Sequence, residues 1–415
     1  MKPTVLIITG GASSRLFPIN THNKGYFSLL GKALISRTIE NFLAHGFEDI
    51  VVVVPASDPE GHQLSQLLQD DGITHPIQFV VQTEAKGQAD AILSARGHLK
   101  SGFIVSAPYH FQGGELAAQL WQQKQSSGAA CVYLGAPTET PELYGIISYQ
   151  GDRFISVVEK PAREQAPSHL KIVALYLFDQ TFLDTLTATP ENEYALEDAI
   201  TTHARDHHDS WVETNTKTLS LKYPWHLFSF QSHLFTQLKS SQEGTAAIAK
   251  TALIDDSHGP VVTSAGARVG DFVKLVGPCF IGPNAVVGDY SFVRESSIEA
   301  NSTIGANTEV VRSIILKNSS LHFGYLADSI IGNHVKIGAG LITANKRLDR
   351  RELQVTIKDK KVNVGRNNLG IIVGDKANIG ISVNTMPGVM IGAEAIIFPG
   401  TTLYHSVAKQ AVFKG

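Results

Sequence analysis

Cysteine is nearly absent from this chain of 415 residues: only Cys131 and Cys279 occur, far apart. That excludes a disulfide framework and the paired spacing of a structural zinc site, and it fits a reducing compartment. Charge of one sign is also missing. Thirty-five Lys and Arg stand against 38 Asp and Glu, a formal net charge of -3, so no basic field is available for nucleic acid. No apolar run reaches the ~18 residues that a bilayer span needs. The opening MKPTVLIITGG carries a short apolar stretch that ends in glycines. A signal peptide would have a longer apolar core and a small-residue cleavage site, so this segment reads as a first buried strand. These absences point to a soluble, cytoplasmic protein with neither nucleic acid nor membrane as a partner.

What is present is a six-residue period. Aliphatic residues recur at Val269, Leu275, Ile281, Val287 and Val293, then one residue early at Ile298, Ile304 and Val310. The rhythm returns at Ile331 and Ile337, and again from Val373 and Ile379 to Ile391, Ile397 and Leu403. Six is neither the helical period nor simple strand alternation. It predicts a left-handed parallel β-helix, with one hexapeptide on each side of a triangular coil. The aliphatic side chain points inward, and the small residue that often follows relieves crowding near the corner. The segment 343–369 breaks the rhythm and is charged, which predicts a loop or hairpin protruding from a coil.

The first 230 residues follow another pattern. Buried-strand runs at 4–9, 50–55, 77–82 and 103–107 alternate with helical stretches at 33–46 and 88–99. Apolar strands separated by amphipathic helices predict a parallel, doubly covered α/β sheet of Rossmann-like type. Residues 145–161 read as a hairpin. The expected organisation is an α/β domain over 1–230, a linker helix over 231–250 and a β-helix over 251–415.

Residues 10–24, GGASSRLFPINTHNK, place a glycine-rich turn directly after the first strand. Backbone N–H groups of such a turn can cradle phosphates, and Arg15 and Lys24 add fixed positive charge. This segment resembles the signature of sugar-1-phosphate nucleotidylyltransferases, with a glycine-rich turn, a hydroxyl-Arg pair, a Pro three residues later and a Lys farther on. QTEAKGQADA (82–91), YGIIS (144–148), VVEKP (157–161), EYALEDAI (193–200) and YPWHLF (223–228) resemble further family segments in the same order. The resemblance spans essentially the whole chain. The β-helix is similar to the acetyltransferase domain fused to this fold in bifunctional, archaeal-type N-acetylglucosamine-1-phosphate uridylyltransferases.

The resemblance implies a nucleoside triphosphate and a sugar-1-phosphate as ligands. Gly10, Gly11, Ser14 and Arg15 would meet the nucleotide phosphates, Lys24 would neutralise charge on the pyrophosphate, and Gln82 and Gly87 would contact the base. Gly145, Glu159 and Lys160 would hold the sugar phosphate. In-line attack on the α-phosphate rests mainly on positioning and charge neutralisation. The chain departs from the pattern at Ser13, which replaces a loop glycine, at Gln88 and at Ile172. The two metal-binding Asp residues of the family are also missing: their segments read SAPYHF (106–111) and Pro224-Trp225-His226. Mg²⁺ prefers oxygen ligands. Two readings follow. Either the N-terminal site has decayed to a non-catalytic sugar-phosphate or nucleotide binder, or His110 and His226 hold a softer divalent metal such as Mn²⁺ or Zn²⁺.

The segment 319–349, SSLHFGYLADSIIGNHVKIGAGLITANKRLD, resembles the catalytic run of the acetyltransferase domain. The resemblance puts His322 at the position of the general base that takes the amine proton as it attacks the acetyl-CoA thioester. Tyr325 and Asn345 match positions that orient substrate or stabilise the oxyanion. Lys336 and Arg347 are candidates for phosphate contacts. Residues 367–392 resemble the stretch that lines the acetyl-CoA groove between subunits of a homotrimer. Gly324, Ala327 and Leu341 depart from that pattern.

Overall fold

The computed structural model describes residues 2–11, 13–21, 23–100 and 102–415. Two compact units result. The first comprises Met1–Ala12, Asn23–Phe27 and Ala33–Leu219, and the second Ser13–His22, Ser28–Lys32 and Ser220–Gly415.

The first unit is built on a nine-stranded sheet. Its strands are β1 (Thr4–Ile8), β2 (Ile50–Pro55), β3 (Gln78–Gln82), β4 (Gly102–Ser106), β5 (Val132–Pro137), β6 (Gly145–Gln150), β7 (Arg153–Glu159), β8 (Leu170–Asp179) and β9 (Ser210–Glu213). Their spatial order is β3-β2-β1-β4-β8-β5-β9-β7-β6. The runs read as buried strands form the parallel half, in which β1 pairs with β2 and β4, and β2 with β3. β8 enters antiparallel between β4 and β5, which a purely parallel expectation misses. The expected hairpin at 145–161 is β6–β7, antiparallel from Gly145↔Glu159 to Gln150↔Arg153.

Both faces of β1 are buried, so its side chains divide between two cores. Val5 and Ile7 pack with helices α1 (Leu34–Ala44), α2 (His62–Asp70) and α4 (Gly113–Ser127). Leu6 packs with α3 (Gln88–Ser94), α5 (Gln180–Ala188) and α6 (Ala195–Asp206). A buried polar network ties α6 to the sheet. The fully buried Asp209 accepts hydrogen bonds from the Cys131 N–H (3.1 Å) and the Tyr133 hydroxyl (2.9 Å), and His203 Nδ1 lies 3.0 Å from it. His203 Nε2 meets the Thr181 hydroxyl at 2.9 Å.

The second unit is the left-handed parallel β-helix. Val269 pairs with Val287, Val287 with Ile304, Ile304 with Leu321 and Leu321 with Ile337, all parallel. The inward ladder continues through Ile379 to Ile397. A second side stacks Leu275, Val293, Val310 and Leu326, and a third stacks Ile281, Ile298, Ile315, Ile331, Val373 and Ile391. These residues form one continuous core. The early arrival of Ile298 has a plain cause: that coil is seventeen residues from Ile281 to Ile298, where Val269 to Val287 takes eighteen. Two longer strands, β10 (Ser320–Ala327) and β11 (Lys336–Thr343), pair in parallel through a corner, with a register shift between Phe323 and Gly324. The interrupting segment 343–369 carries the hairpin Gln354–Ile357/Lys360–Asn363.

The expected linker helix at 231–250 is displaced. The helix is α7 (Leu227–Phe235), and solenoid strands begin at Ser241–Gln242, with Ala247–Ile248 pairing to Arg268–Val269. The first coil keeps Ile248 and Ile254 in the ladders of Val269 and Leu275, but Gln242 and then Thr263 precede Ile281 on the third side, so its rhythm is incomplete in sequence.

Candidate functional sites

In the first unit the glycine-rich turn follows β1. Gly11 has φ 110°, and nothing lies within 4 Å of where its Cβ would stand, so the backbone is open to a ligand. At Gly10 a Cβ would meet Gln82 Oε1 at 2.4 Å, so a side chain there would push the Gln82 amide away. Gln82 is itself buried, and its amide donates to Gly87 O (3.0 Å) and Asp90 Oδ2 (2.7 Å). Gly10, Gln82 and Gly87 are thus brought together. Gly87 has φ 106°, again with open space beside it, at the start of α3. Lys24 is half-buried in the 3₁₀ turn Lys24–Tyr26, which is capped by the Asn23 side chain accepting from Gly25 N.

Ser14 and Arg15 belong to the second unit, in the 3₁₀ turn Ser14–Leu16; Arg15 is exposed. Ser13 adopts the left-handed conformation, φ 45° and ψ 24°. The turn therefore keeps the conformation that a glycine adopts readily, although a serine occupies it.

The sugar-side residues cluster at the β6–β7 hairpin. A Cβ on Gly145 would meet Glu159 Oε1 at 2.6 Å, so the missing side chain makes room for that carboxylate. Lys160 has φ 44°, its Nζ lies 3.9 Å from Glu159, and it stands over the Tyr194 ring at 5.6 Å. Glu197 adjoins this group. Burial first, then Glu159 and Asp198, push its carboxyl above the usual range, while Lys160 opposes them. Lys171 lies over the Tyr144 ring at 4.7 Å, and burial lowers its pKa. Neither Lys171 nor Tyr194 was legible as a site residue, since each approaches from a different strand or helix.

The segment 106–111 supplies no carboxylate. His110 is buried with no hydrogen-bond partner on Nδ1, and burial lowers its pKa to about 4, so its imidazole is neutral. Tyr109, beside it, is pushed up to about 12 by burial. His226 lies in the second unit, where its Nδ1 sits 2.7 Å from Ser220 O and 3.2 Å from Lys222 N. Among the described residues, the one group of three close metal-ligating side chains is Cys131, His203 and Asp209. It sits at the start of β5, the edge of the sheet opposite the end of β1. The residues in place of the family's Asp pair therefore do not form an oxygen cradle for Mg²⁺.

In the second unit, His322 is exposed near the start of β10. The coil below comes very close: a Cβ on Gly305 would meet the His322 carbonyl oxygen at 1.9 Å. His322 borders a groove of about 780 Å³. The outward residues Thr303, Ser320, Lys336, Asn378 and Ile396 succeed one another through the strand pairings and cross five coils, roughly 19 Å at ~4.8 Å per strand. Ile381 and Phe398 add apolar walls, 54% and 41% exposed.

The three residues matched to the acetyltransferase run are spread along the strand pair. His322 falls between the pairs Leu321↔Ile337 and Phe323↔Ala339, whereas Tyr325 pairs with Ile342. Asn345 lies at the next corner, and its amide donates to the fully buried Asp328 at 2.6 Å. Burial, then Glu309, raises the Tyr325 phenol. Arg347 is exposed and forms an ion pair with Asp349.

Comparison with known proteins agrees with both halves. A model of the nucleotidyl transferase family matches residues 4–217. A bifunctional sugar-1-phosphate nucleotidylyltransferase/acetyltransferase of Sulfurisphaera tokodaii is 30% identical, over 98% of this chain and 99% of its own length. Proteins named bifunctional protein GlmU from Methanococcus maripaludis and Methanocaldococcus jannaschii are each 28% identical, over 94% of this chain and 92% of their own. The chain therefore belongs to the nucleotidyl transferase family, as a transferase with the two-part architecture of its bifunctional sugar-1-phosphate nucleotidylyltransferase/acetyltransferase members.

Proposed function

We propose that the chain is a two-activity cytoplasmic enzyme of amino-sugar nucleotide synthesis. The solenoid transfers an acetyl group from acetyl-CoA to the amine of an amino-sugar phosphate. The α/β unit binds a nucleoside triphosphate and a sugar-1-phosphate and joins them with loss of pyrophosphate. The observation that carries the reading is the groove that runs past His322. Its length suits an extended pantetheine arm, its walls are largely apolar, and Lys336 offers a cation for a phosphate. The sugar amine attacks the thioester carbonyl, His322 takes the amine proton, and the CoA thiolate leaves and is protonated. Tyr325, three residues along the strand, orients the acceptor. Asn345 acts through Asp328, to which it is bonded, rather than on the oxyanion.

In the α/β unit the backbone of Gly10 and Gly11 receives the phosphates and Lys24 supplies charge; Arg15, carried by the second unit's Ser14–Leu16 turn, is a further candidate for phosphate charge. Gln82 and Gly87 face the base; Gly145, Glu159 and Lys160 hold the sugar phosphate. With no carboxylate in 106–111, no step is assigned to Mg²⁺. The neutral imidazole of His110 supports a softer divalent ion at that loop.

The test is a paired assay on the full chain, reading free CoA thiol and pyrophosphate with glucosamine-1-phosphate or N-acetylglucosamine-1-phosphate. CoA release is expected, and His322→Ala should lower it by roughly 10²–10⁴-fold with the fold intact. A variant retaining more than a tenth of the rate removes His322 from the base role. Pyrophosphate release in Mg²⁺ is expected to be slow and to rise in Mn²⁺. Fast turnover in Mg²⁺ would mean that another carboxylate, such as Glu197 or Asp198, holds the cation.

A further inference from the structure

The solenoid unit carries a second concave site, a cleft of about 350 Å³ between α7 and a corner of the coils. None of its lining residues lines the His322 groove. Asp328, just past the end of β10, marks its corner and stands four residues beyond Gly324, roughly 13 Å along an extended strand. One wall is apolar: Phe228 and Phe235, each 4% exposed, face the cleft with Pro260 and Pro278.

The other wall is cationic. Asp328 accepts both bonds of a forked Arg312, at 2.8 Å each, and a third from Asn345. Arg366 also turns toward Asp328, but at 3.8 Å, too far for a hydrogen bond. Its guanidinium lies instead over the Phe228 ring, 4.3 Å from the centroid. Two guanidinium groups thus lie against one buried carboxylate whose oxygens are already occupied, and Glu295 at the rim adds a second, partly exposed negative charge that also acts on Arg312. Burial, and then the neighbouring Arg312, lower the Arg366 pKa against the pull of Asp328. Glu295 at the rim stands 3.7 Å from Arg294. His258 is exposed among the lining residues.

We propose that this cleft is a second ligand site, which takes a small oxyanion carried on a flat, apolar body. A phosphate or carboxylate head between Arg366 and Arg312 supplies the counter-charge that Asp328 alone cannot. The flat body lies against the phenylalanines and prolines and extends the stack begun by Arg366. The volume is at the lower end for small-molecule pockets and excludes anything much larger than a mononucleotide. The proposal does not depend on acetyl transfer at His322.

Phenyl phosphate, benzoate and inorganic phosphate are titrated calorimetrically against the full chain in an Arg15→Gln/Lys24→Gln background, which silences the glycine-rich turn. Phenyl phosphate or benzoate should bind once per chain, and which is tighter identifies the head group. Inorganic phosphate, lacking the apolar body, should bind at least tenfold more weakly. Arg366→Gln should weaken the tighter ligand at least tenfold, the loss expected for a charged hydrogen bond. Ser232→Trp, which fills the cleft without touching its charges, should abolish binding, and His322→Ala should leave it unchanged. If Arg366→Gln leaves affinity within about twofold, or neither aryl ligand binds by about 5 mM, the cleft is a packing gap and the proposal falls. Loss of binding in His322→Ala would place the ligand in the groove instead and overturn the assignment. Arg366 is partly exposed and ends no coil, so its variant reports on binding even if Ser232→Trp misfolds.

Discussion

Single residues in this molecule carry large electrostatic terms because they are fully buried. Asp209 is the clearest case. Removing it would leave His203 and Tyr133 without their shared acceptor, and a buried polar group left unsatisfied costs about 1–3 kcal/mol. Asp209→Ala is therefore expected to lower the unfolding free energy of the first unit, read from denaturant curves, by at least that amount. Asp209→Asn, which keeps an acceptor, should cost less. A loss under about 1 kcal/mol for the alanine variant would show that the network is not held in solution. Glu299 offers a pH test. Its carboxylate is fully buried in the second unit, where it accepts from Leu30 N (2.8 Å) and Gly31 N (2.9 Å). Burial raises its pKa to about 7, although the two N–H donors pull it down. A raised carboxyl pKa means the folded state prefers the proton. The contribution is complete below the unfolded value, about 4.3, and is lost as pH rises through about 7. Between pH 5 and 8 the melting temperature of the wild type should fall relative to Glu299→Gln; parallel curves would contradict the raised pKa.

Elements of the solenoid are positioned by backbone contact between coils. The hexad glycines matter because the neighbouring coil occupies the space of a side chain. At Gly305 the obstacle is the carbonyl of His322, which no rotamer change can relieve. Gly305→Val is expected to cost at least about 1–3 kcal/mol and to displace β10, so that CoA release falls with the melting temperature. A stable variant with full acetyl transfer would show that the register of β10 does not set the position of His322. The hairpin in 343–369 is a different kind of element. It pairs only with itself, and the core strands resume after it at Ile372–Val373. This is why an interruption in the period leaves the inward ladder intact.

At the scale of the whole molecule, the groove beside His322 is open along one side, with Ile381, Ile396 and Phe398 exposed on it. Flat solenoid faces with such a border suit packing around a threefold axis, and we expect a homotrimer or a multiple of it. Light scattering at micromolar concentration should give about three times the 44.8 kDa chain mass. A monomer with full acetyl transfer would show that one chain completes the groove alone. Among the described residues no helix is long and apolar enough to cross a membrane.

The sequence by itself determined the β-helix, because a hexad is a local rule: each residue's direction follows from its place in a six-residue unit. It also determined the strand-and-glycine turn around Gly10 and Gly11, and the position of His322 within a long motif. It did not reveal the antiparallel entry of β8, nor the start of the solenoid at Ser241–Gln242, where a glutamine interrupts the aliphatic rhythm on one side. The site details were decided by tertiary structure alone. Asn345 is bonded to Asp328, seventeen residues away; Gly10 makes room for Gln82; Cys131 meets Asp209 across seventy-eight positions. The cleft of Phe228, Arg312 and Arg366 gathers three segments that share no motif. Spacing along a chain encodes which way a side chain points within its own element. Which side chains share a carboxylate, and which are left over for a ligand, depends on packing between elements that no local pattern records.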